Sequence, residues 1–327
     1  MGQFRLLLST AIACVLTACG GSSHFNAGID STHSAASGSH GASTVLVSKK
    51  TEVATASTET HTNVASPADK LIALTFDDGP RPYVLFGSKG AHPAPGLADI
   101  LDQNGIKATF FVVGWRLTPK TWGEPRHEEN IGMTCLDAAE QLIRRGHELE
   151  DHTYSHVELR SAEKKNGEQW VIGDVNRGAQ AIKAVTGTQP RFVRPPDWII
   201  TSDARRDLEH QGYRVLTIST ENTMALRDVN SLDYLCAGKA VGCPKPSMVN
   251  GVLKQIEQRE KKGTYNHILA FHELSTTAAA MPELIAQLRA RGYRFVTLSE
   301  YISLIESTPG DARKQRAAAT PKPALPR

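Results

Sequence analysis

One pattern, repeated four times along the chain, constrains the fold more than any other feature of the sequence. Apolar residues recur at helical spacing, a glycine follows, and a short run of apolar or β-branched residues comes next. Because glycine readily ends a helix in the left-handed conformation, each repeat predicts a helix followed by a strand. The four segments are LADILDQNGIKATFFVV, DAAEQLIRRGHELED, DLEHQGYRVLTIS and LIAQLRARGYRFVTL, with Gly105, Gly146, Gly212 and Gly292 at the turns.

Three further apolar runs complete a sheet. Residues 71–76 (LIALTF), 191–194 (RFVR) and 267–272 (HILAFH) bring the predicted strands to about seven. Helices that alternate with short, continuous apolar strands are typical of a parallel sheet with helices outside, and seven or eight such units can close into a barrel. The segments that break the pattern are predicted to be long loops at the carboxyl ends of the strands, where substrate sites usually lie: 81–95, 119–135 and 222–246.

The amino-terminal segment is predicted to be a targeting signal and not part of the fold. Arg5 precedes an apolar run, LLLSTAIACVL (6–16), that is too short to span a bilayer as a permanent helix. The following LTAC (16–19) resembles a bacterial lipobox, in which Cys19 is lipidated and becomes the first residue of the mature chain. The alternative is an ordinary secretory signal with a chance cysteine. Gly20 favours the outer membrane if the host is Gram-negative, so we expect an exported protein that is lipid-anchored in the bacterial cell envelope.

Composition predicts four regions. Residues 1–18 are the lipoprotein signal peptide, and residues 19–67 are a disordered tether rich in Ser, Thr, Gly and Ala. Residues 68–308 form the folded domain, and residues 309–327 are a disordered basic tail. The net charge is only +3 and no dense basic run interrupts the central region, so we expect no nucleic-acid partner. We expect a monomer.

Three cysteines follow the predicted signal peptide. Cys236 and Cys243 flank AGKAVG, a short loop that could close into a disulfide in an oxidising compartment. That pairing would leave Cys135 as the odd cysteine, buried in the core. The three cysteines lack the spacing of a structural zinc site.

Two adjacent carboxylates, Asp77 and Asp78, end the first predicted strand and precede a Gly-Pro turn. Neighbouring carboxylates repel each other, so one tends to stay protonated unless a cation neutralises the pair. A metal ion would make one of them a ligand and leave the other ionised as a base. The alternative is an Asp-Gly turn with solvated carboxylates.

A second set of polar residues follows the strand HELED. In HTYSH, His152 and His156 stand four residues apart, a spacing that in a helical turn points both imidazoles the same way. Two histidines and one aspartate form a three-ligand site with an open position, which is typical of a catalytic zinc site. We therefore expect one divalent ion, Zn²⁺ before Co²⁺ or Ni²⁺. A histidine pair without a metal is the alternative.

Two more residues end predicted strands on the same side of the sheet. Arg194, in FVRPPDW, is followed by two prolines and could orient a catalytic carboxylate, or it could be a surface arginine before a loop. His272, in ILAFHE, is suited to a general acid near neutral pH, although a lone histidine after an apolar strand is more often a packed core residue.

Taken together, these residues resemble the NodB-type polysaccharide deacetylases, carbohydrate esterase family 4. The resemblance covers about residues 70–305 and implies a distorted (β/α)7 barrel of the α/β class with parallel strands and helices outside. It rests on five motifs in the family's order: TFDDG (75–79), KATFFVVG (107–114), GHELEDHTYSH (146–156), RPP (194–196) and LAFH (269–272).

The resemblance also implies roles for individual residues. Asp77 is similar to the catalytic base that deprotonates the attacking water, and Arg194 to the residue that orients this base. His272 is similar to the general acid that protonates the leaving amine. The implied metal ligands are Asp78, His152 and His156.

Two departures from the family pattern bear on the substrate. The family often has Tyr after RPP, with a backbone N–H that helps bind the oxyanion, whereas this chain has Asp197. The family also has D-x-x-D-W near the next strand end, with an Asp that tunes the acid His. That region reads STENTM here, so Glu221 is the candidate substitute and Met224 stands where an Asp is expected. We assign Pro196, Asp197, Trp198 and Glu221 to substrate binding.

The implied activity is metal-dependent hydrolysis of N-acetyl groups on an amino-sugar polymer or oligomer. Candidate N-acetylated glycans are peptidoglycan, chitin-like oligomers and poly-N-acetylglucosamine. The alternatives are an O-acetyl esterase acting on xylan-type glycan and a non-catalytic glycan-binding lipoprotein of the same fold. A glycoside hydrolase would need two opposed carboxylates and no metal.

Overall fold

A computed structural model of the chain describes residues 70–87, 95–118, 132–217, 228–236 and 245–307. All structural statements concern these ranges. Their strands form one sheet in which all the strand pairs are parallel, and the sheet curls into a half-barrel surrounded by helices. This is the distorted (β/α) barrel architecture that the sequence predicts.

The sheet has the strand order β5-β4-β3-β2-β1-β7-β6, and β8 pairs with β1 outside this path. The strands are β1 (Leu71–Gly79), β2 (Thr109–Val112), β3 (Glu148–Asp151), β4 (Phe192–Val193), β5 (Arg214–Val215), β6 (Asp228–Asn230), β7 (His267–His272) and β8 (Arg294–Val296). The central strand β1 pairs with β2, β7 and β8, which fixes Asp77 opposite His272 in the register of β1 and β7.

Helices occupy most of the connections between strands. They are α1 (Pro82–Phe86), α2 (Leu97–Gln103), α3 (Cys135–Arg144), α4 (Leu159–Asn166), α5 (Glu168–Thr186), α6 (Ser202–His210), α7 (Lys245–Glu260), α8 (Ser275–Ala290) and α9 (Leu298–Ser307). Within the described ranges, no helix combines the length and the apolar character needed to cross a membrane.

Both faces of β1 are buried, and alternate residues belong to different clusters. Ile72, Leu74 and Phe76 pack in the core beneath the outer helices. Leu71 and Ala73 pack in the barrel interior, which α9 fills at the amino ends of the strands. Because strand side chains alternate between faces, the same parity points Thr75 and Asp77 into the interior. The apolar residues of β1 therefore determine which way the polar residues at its end point.

Aromatic rings reinforce the strands that carry the polar residues. The Phe76 ring lies 5.2 Å from that of Phe110 on β2 and 5.8 Å from that of Phe271 on β7, centroid to centroid. All three side chains are fully buried, and each contributes about 1.5–3 kcal/mol of hydrophobic stabilisation. This aromatic row joins β2, β1 and β7 directly below their carboxyl ends.

Two segments predicted to be long loops contain regular structure. Residues 222–246 include β6, a 3-10 turn at Asp233–Cys236 and the start of α7, and residues 81–95 include α1. The three-residue β6 is too short to show an apolar period, and its stability comes from pairing with β7. Cys135 is buried at the start of α3. Cys243 lies outside the described residues, so its disulfide with Cys236 stays a prediction.

Candidate active site

Asp78, His152 and His156 meet at the carboxyl ends of β1 and β3. The Oδ1 atom of Asp78 is 2.8 Å from Nε2 of His156 and 3.4 Å from Nε2 of His152. All three possible ligand atoms lie within 4.8 Å of one another. This Oδ1 atom is buried and accepts no hydrogen bond from the described residues. The three possible ligand atoms therefore lie close together, while the carboxylate oxygen is left without a hydrogen-bond partner in the described structure.

This donor set fits a divalent cation. One carboxylate oxygen and two imidazole nitrogens are ligands that zinc accepts, and three protein ligands leave a position open. Burial alone would raise the pKa of Asp78, but the attraction of the two imidazoles holds this pKa well below its ordinary value. The carboxylate is therefore ionised and ready to bind a cation.

His152 is held in the tautomer that a metal ligand requires. Its Nδ1 lies 2.6 Å from the backbone oxygen of Arg194, and because that oxygen can only accept, Nδ1 must donate. Nε2 is then the ring nitrogen that faces Asp78 and is the one available to a metal ion. A backbone partner of this kind is the usual means of orienting a ligating imidazole.

The prediction that His152 and His156 share a helical turn is wrong. Thr153 and His156 have φ angles of 65° and 57°, so the segment is a loop with two left-handed residues. Asp174 of α5 pins this loop, because its Oδ2 accepts the Ser155 N–H at 3.1 Å and the Ser155 hydroxyl at 2.9 Å. Tertiary hydrogen bonds bring the imidazoles together, with ring centroids 4.9 Å apart.

Asp77 forms a buried ion pair with Arg194. Nη1 of Arg194 donates to Oδ1 of Asp77 at 2.6 Å and to the Thr75 hydroxyl at 2.9 Å. Thr75 in turn donates to the backbone oxygen of Leu269 at 2.9 Å, so the hydroxyl must accept from the guanidinium. The Arg194 guanidinium is fully buried in the described structure and determines the orientation of the Asp77 carboxylate.

Two aromatic rings pack against Arg194. Its guanidinium carbon lies 4.0 Å from the ring centroid of Phe111 and 4.5 Å from that of Trp198. Contacts of this kind favour a cation over the ring faces. Trp198, which was predicted to bind substrate, therefore lies against Arg194.

His272 is paired with Asp233, a residue that the sequence analysis missed. Nδ1 of His272 donates to Oδ1 of Asp233 at 2.7 Å, and the His272 backbone N–H donates to Oδ2 at 2.7 Å. The Thr277 hydroxyl also donates to Oδ2, at 2.6 Å. Burial alone would lower the pKa of His272, but the bond to Asp233 and the charges of Asp77 and Asp78 raise it.

The partner of His272 lies later in the chain than the segment in which it was predicted. Glu221 and Met224 lie outside the described residues, whereas Asp233 lies in the 3-10 turn after β6. Residues 230–234 read NSLDY, which matches D-x-x-D-W with Asn for the first Asp and Tyr for Trp. This motif in the sequence could have identified Asp233 as the partner of His272. The Tyr234 ring is exposed and meets the His272 ring edge-on at 5.6 Å.

The remaining predicted substrate residues form the 3-10 turn Pro196–Trp198. Pro196 is buried and Asp197 is exposed. Asp197 and Trp198 have φ angles of 55° and 63°, so two successive non-glycine residues are left-handed. Such conformations persist only where the surroundings impose them.

Cys19, the predicted lipidation site, lies outside the described residues.

Comparison with known proteins finds similar proteins that are named deacetylases. Residues 65–216 match the model of the family described as polysaccharide deacetylase. The peptidoglycan-N-acetylglucosamine deacetylase of Bacillus cereus is 25% identical over 238 residues, which cover 72% of this chain and 89% of that protein. The chitin deacetylase of Colletotrichum lindemuthianum is 25% identical over 232 residues, 70% of this chain and 78% of that protein.

A solved structure supports the same architecture. The Xyl-CE4 domain of a multidomain xylanase from the hindgut metagenome of Trinervitermes trinervoides superposes with a TM-score of 0.53 and 24% identity. The superposition covers 74% of this chain and 93% of that domain. The motifs, the fold and these relatives together support a polysaccharide deacetylase domain of the NodB type in this chain, that is, a hydrolase of amide bonds.

Proposed function

We propose that this chain uses one divalent metal ion to remove N-acetyl groups from an amino-sugar polysaccharide or oligosaccharide. The proposal rests mainly on one observation: the three possible metal ligands lie beside two further residues that could act as a general base and a general acid. Asp77 and His272 are register partners on β1 and β7, and Asp78 follows Asp77 directly. Peptidoglycan, chitin-like oligomers and poly-N-acetylglucosamine are the candidate substrates, in keeping with the names of the relatives.

Asp78, His152 and His156 would hold the ion, and Zn²⁺ is the proposed metal, with Co²⁺ and Ni²⁺ suited to the same donors. When bound, such an ion polarises the acetyl carbonyl and lowers the pKa of the attacking water. Asp78 contributes the negative charge of the ligand set, because its pKa is held low.

Asp77 acts as the general base. Arg194 occupies Oδ1 of Asp77, which leaves Oδ2 to accept the proton of the attacking water. The buried guanidinium holds the carboxylate in one orientation, so the base does not need to reorganise during the reaction. A positioned base of this kind contributes about 10²–10⁴-fold in rate.

His272 acts as the general acid. Asp233 holds the proton on Nδ1, so Nε2 delivers the proton that the leaving nitrogen requires. Water adds to the acetyl carbon, the carbon–nitrogen bond breaks, acetate departs, and the sugar nitrogen becomes an amine. The raised pKa of His272 keeps the imidazolium populated near neutral pH.

Pro196, Asp197, Trp198 and Glu221 are proposed to shape the substrate side of the site. The backbone N–H of Asp197 is the proposed donor to the oxyanion, in the place where relatives have Tyr. The carboxylate of Asp197 is exposed, and a negative charge there disfavours anionic substrates.

We also propose that acyl chains on Cys19 anchor the protein in the cell envelope. The lipobox-like LTAC and the polar segment 19–67 support this proposal. The domain at residues 68–308 would then follow this polar tether.

The test is acetate release from a panel of glycans by the metal-loaded protein. The panel contains N-acetylated chito-oligosaccharides, peptidoglycan and O-acetylated xylan, and each digest is assayed for acetate and for new primary amines. We expect equal amounts of acetate and amine from at least one amino-sugar substrate. Acetate without amine would indicate the O-acetyl esterase, and no acetate from any substrate would indicate the glycan-binding alternative.

A further inference from the structure

Glu273 holds the turn that carries the metal-ligand candidate Asp78. It follows His272 directly and is fully buried. Its backbone N–H donates to the Asp77 backbone oxygen at 3.1 Å, and its Oε2 accepts the Arg81 backbone N–H at 2.6 Å. Glu273 therefore forms one hydrogen bond before and one after the tripeptide from Asp78 to Pro80, and we describe this as clamping the turn.

The clamped tripeptide needs external support. Asp78 has a φ angle of 71°, a left-handed conformation that is unfavourable for a residue with a Cβ atom. The pairing of β1 with β2 also loses its regular register between Phe76 and Gly79. The strand is therefore irregular where Asp78 must point at the two imidazoles, and regular sheet pairing does not fix the direction of Asp78.

Gly79 and Glu273 fit each other closely. A Cβ atom on Gly79 would lie 1.7 Å from Oε1 of Glu273 and 2.4 Å from its carboxyl carbon. Any side chain at position 79 would displace the Glu273 carboxyl from beneath the turn. The glycine of the Asp-Asp-Gly-Pro segment is thus required by a side chain 194 positions later in the chain, Glu273.

We propose that Glu273 is a positioning residue for the metal site, and that it sets the direction of Asp78 by clamping the turn from Asp77 to Arg81. The inference rests on the proposed function, because it assumes that Asp78 is a metal ligand. Burial raises the pKa of Glu273 to about 8, so its carboxyl is largely neutral at pH 7. Glutamine, a neutral residue of the same shape with an acceptor oxygen, should therefore replace it.

The first experiment measures the affinity of the metal-free protein for Zn²⁺ by competition with a chromophoric chelator. Glu273→Gln keeps the acceptor for the Arg81 N–H, whereas Glu273→Met fills the same volume without an oxygen acceptor. We expect the Gln variant to bind within about threefold of wild type and the Met variant about 10–100-fold more weakly, the usual cost of losing an outer partner of a ligand.

Glu148→Ala is the matched control. Glu148 also accepts a backbone N–H, from Ser299 at 3.2 Å, but it does so at the amino ends of β2 and β3. Its loss should lower the thermal stability without changing the affinity of the folded protein for Zn²⁺. A fall in affinity as large as that of the Met variant would assign the effect to general destabilisation and overturn the proposal.

The second experiment does not depend on the Met variant folding. Gly79→Ala is made in wild type and in Glu273→Ala, and Zn²⁺ affinity is measured in both. We expect the added methyl group to weaken binding about tenfold or more in wild type but to cost little in Glu273→Ala, where the carboxyl it meets is gone. Equal costs in the two backgrounds would overturn the proposal.

The outcomes also separate this inference from the proposed function. Wild type that binds no Zn²⁺ would overturn both. Wild type that binds Zn²⁺ and releases acetate, with Glu273→Met binding just as tightly, would overturn the role of Glu273 alone.

Discussion

Replacing Asp233 with Asn should move the basic limb of the pH–rate profile to lower pH. In the structure, Asp233 is fully buried and accepts hydrogen bonds from the His272 ring, the His272 backbone N–H and the Thr277 hydroxyl. The substitution keeps the size of the side chain and removes its charge. The pKa of His272 is raised because the bond to this charge outweighs the lowering effect of burial.

The size of the shift follows from the kind of bond that is lost. A hydrogen bond to a charged group contributes about 1.5–3 kcal/mol, against about 1 kcal/mol for a neutral pair. The difference is about 0.5–2 kcal/mol, and 1.36 kcal/mol corresponds to one pKa unit. We therefore expect the pKa of His272 to fall by about one unit, with a similar shift of the pH above which activity declines.

The assay is kcat/KM for acetate release from an N-acetylated oligosaccharide across pH. Because a general acid must be protonated to act, Asp233→Asn should lose about tenfold above the limb and much less below it. Thr277→Val is the control, since it removes one hydrogen bond to Asp233 but keeps the charge, and its limb should move less. An unchanged limb in Asp233→Asn would refute the assignment of His272 as the acid tuned by Asp233.

Three further predictions concern other parts of the account. Asp77→Asn should keep stoichiometric metal but lose about 10²–10⁴-fold in the rate of acetate release, whereas Asp78→Asn should weaken metal binding and recover part of its activity at high metal concentration; equal loss of metal in both variants would contradict the division into base and ligand. Thr75→Val deprives the buried Arg194 of an acceptor and should lower the free energy of unfolding, measured by urea denaturation, by about 1–3 kcal/mol. In steady-state kinetics it should reduce kcat more than it changes KM, and wild-type stability and kcat would contradict this prediction. Cys19→Ser should move the protein from the membrane to the soluble fraction of cells, and equal membrane retention would reject the lipid anchor.

Local patterns in the sequence predict most of the scaffold and part of the site. The helix–glycine–strand repeats predict β2, β3, β5 and β8, and the separate apolar runs predict β1, β4 and β7, because apolar runs and glycine ends are local signals. Asp77, Asp78 and His272 lie where strand ends were predicted, and the described structure brings Asp78 together with both histidines. The functional roles of these residues stay predictions that the variants above test.

Features that depend on distant contacts were not predictable in this way. The loop from His152 to His156 takes its shape from Asp174 on α5, so its i, i+4 spacing wrongly suggests a helical turn. Asp233 lies after a strand of three residues that exists only because it pairs with β7. The close fit of Gly79 against Glu273 likewise depends on two residues that are far apart in the sequence.

The most direct test of the central claim is a metal titration of activity. Metal-free protein receives increasing Zn²⁺, and acetate and new primary amines are measured on N-acetylated chito-oligosaccharide and on peptidoglycan. We expect no activity without metal, a rise in activity that ends at one equivalent of Zn²⁺, and one amine formed for each acetate released. Activity that is independent of metal, or acetate released without amine, would contradict a metal-dependent N-deacetylase.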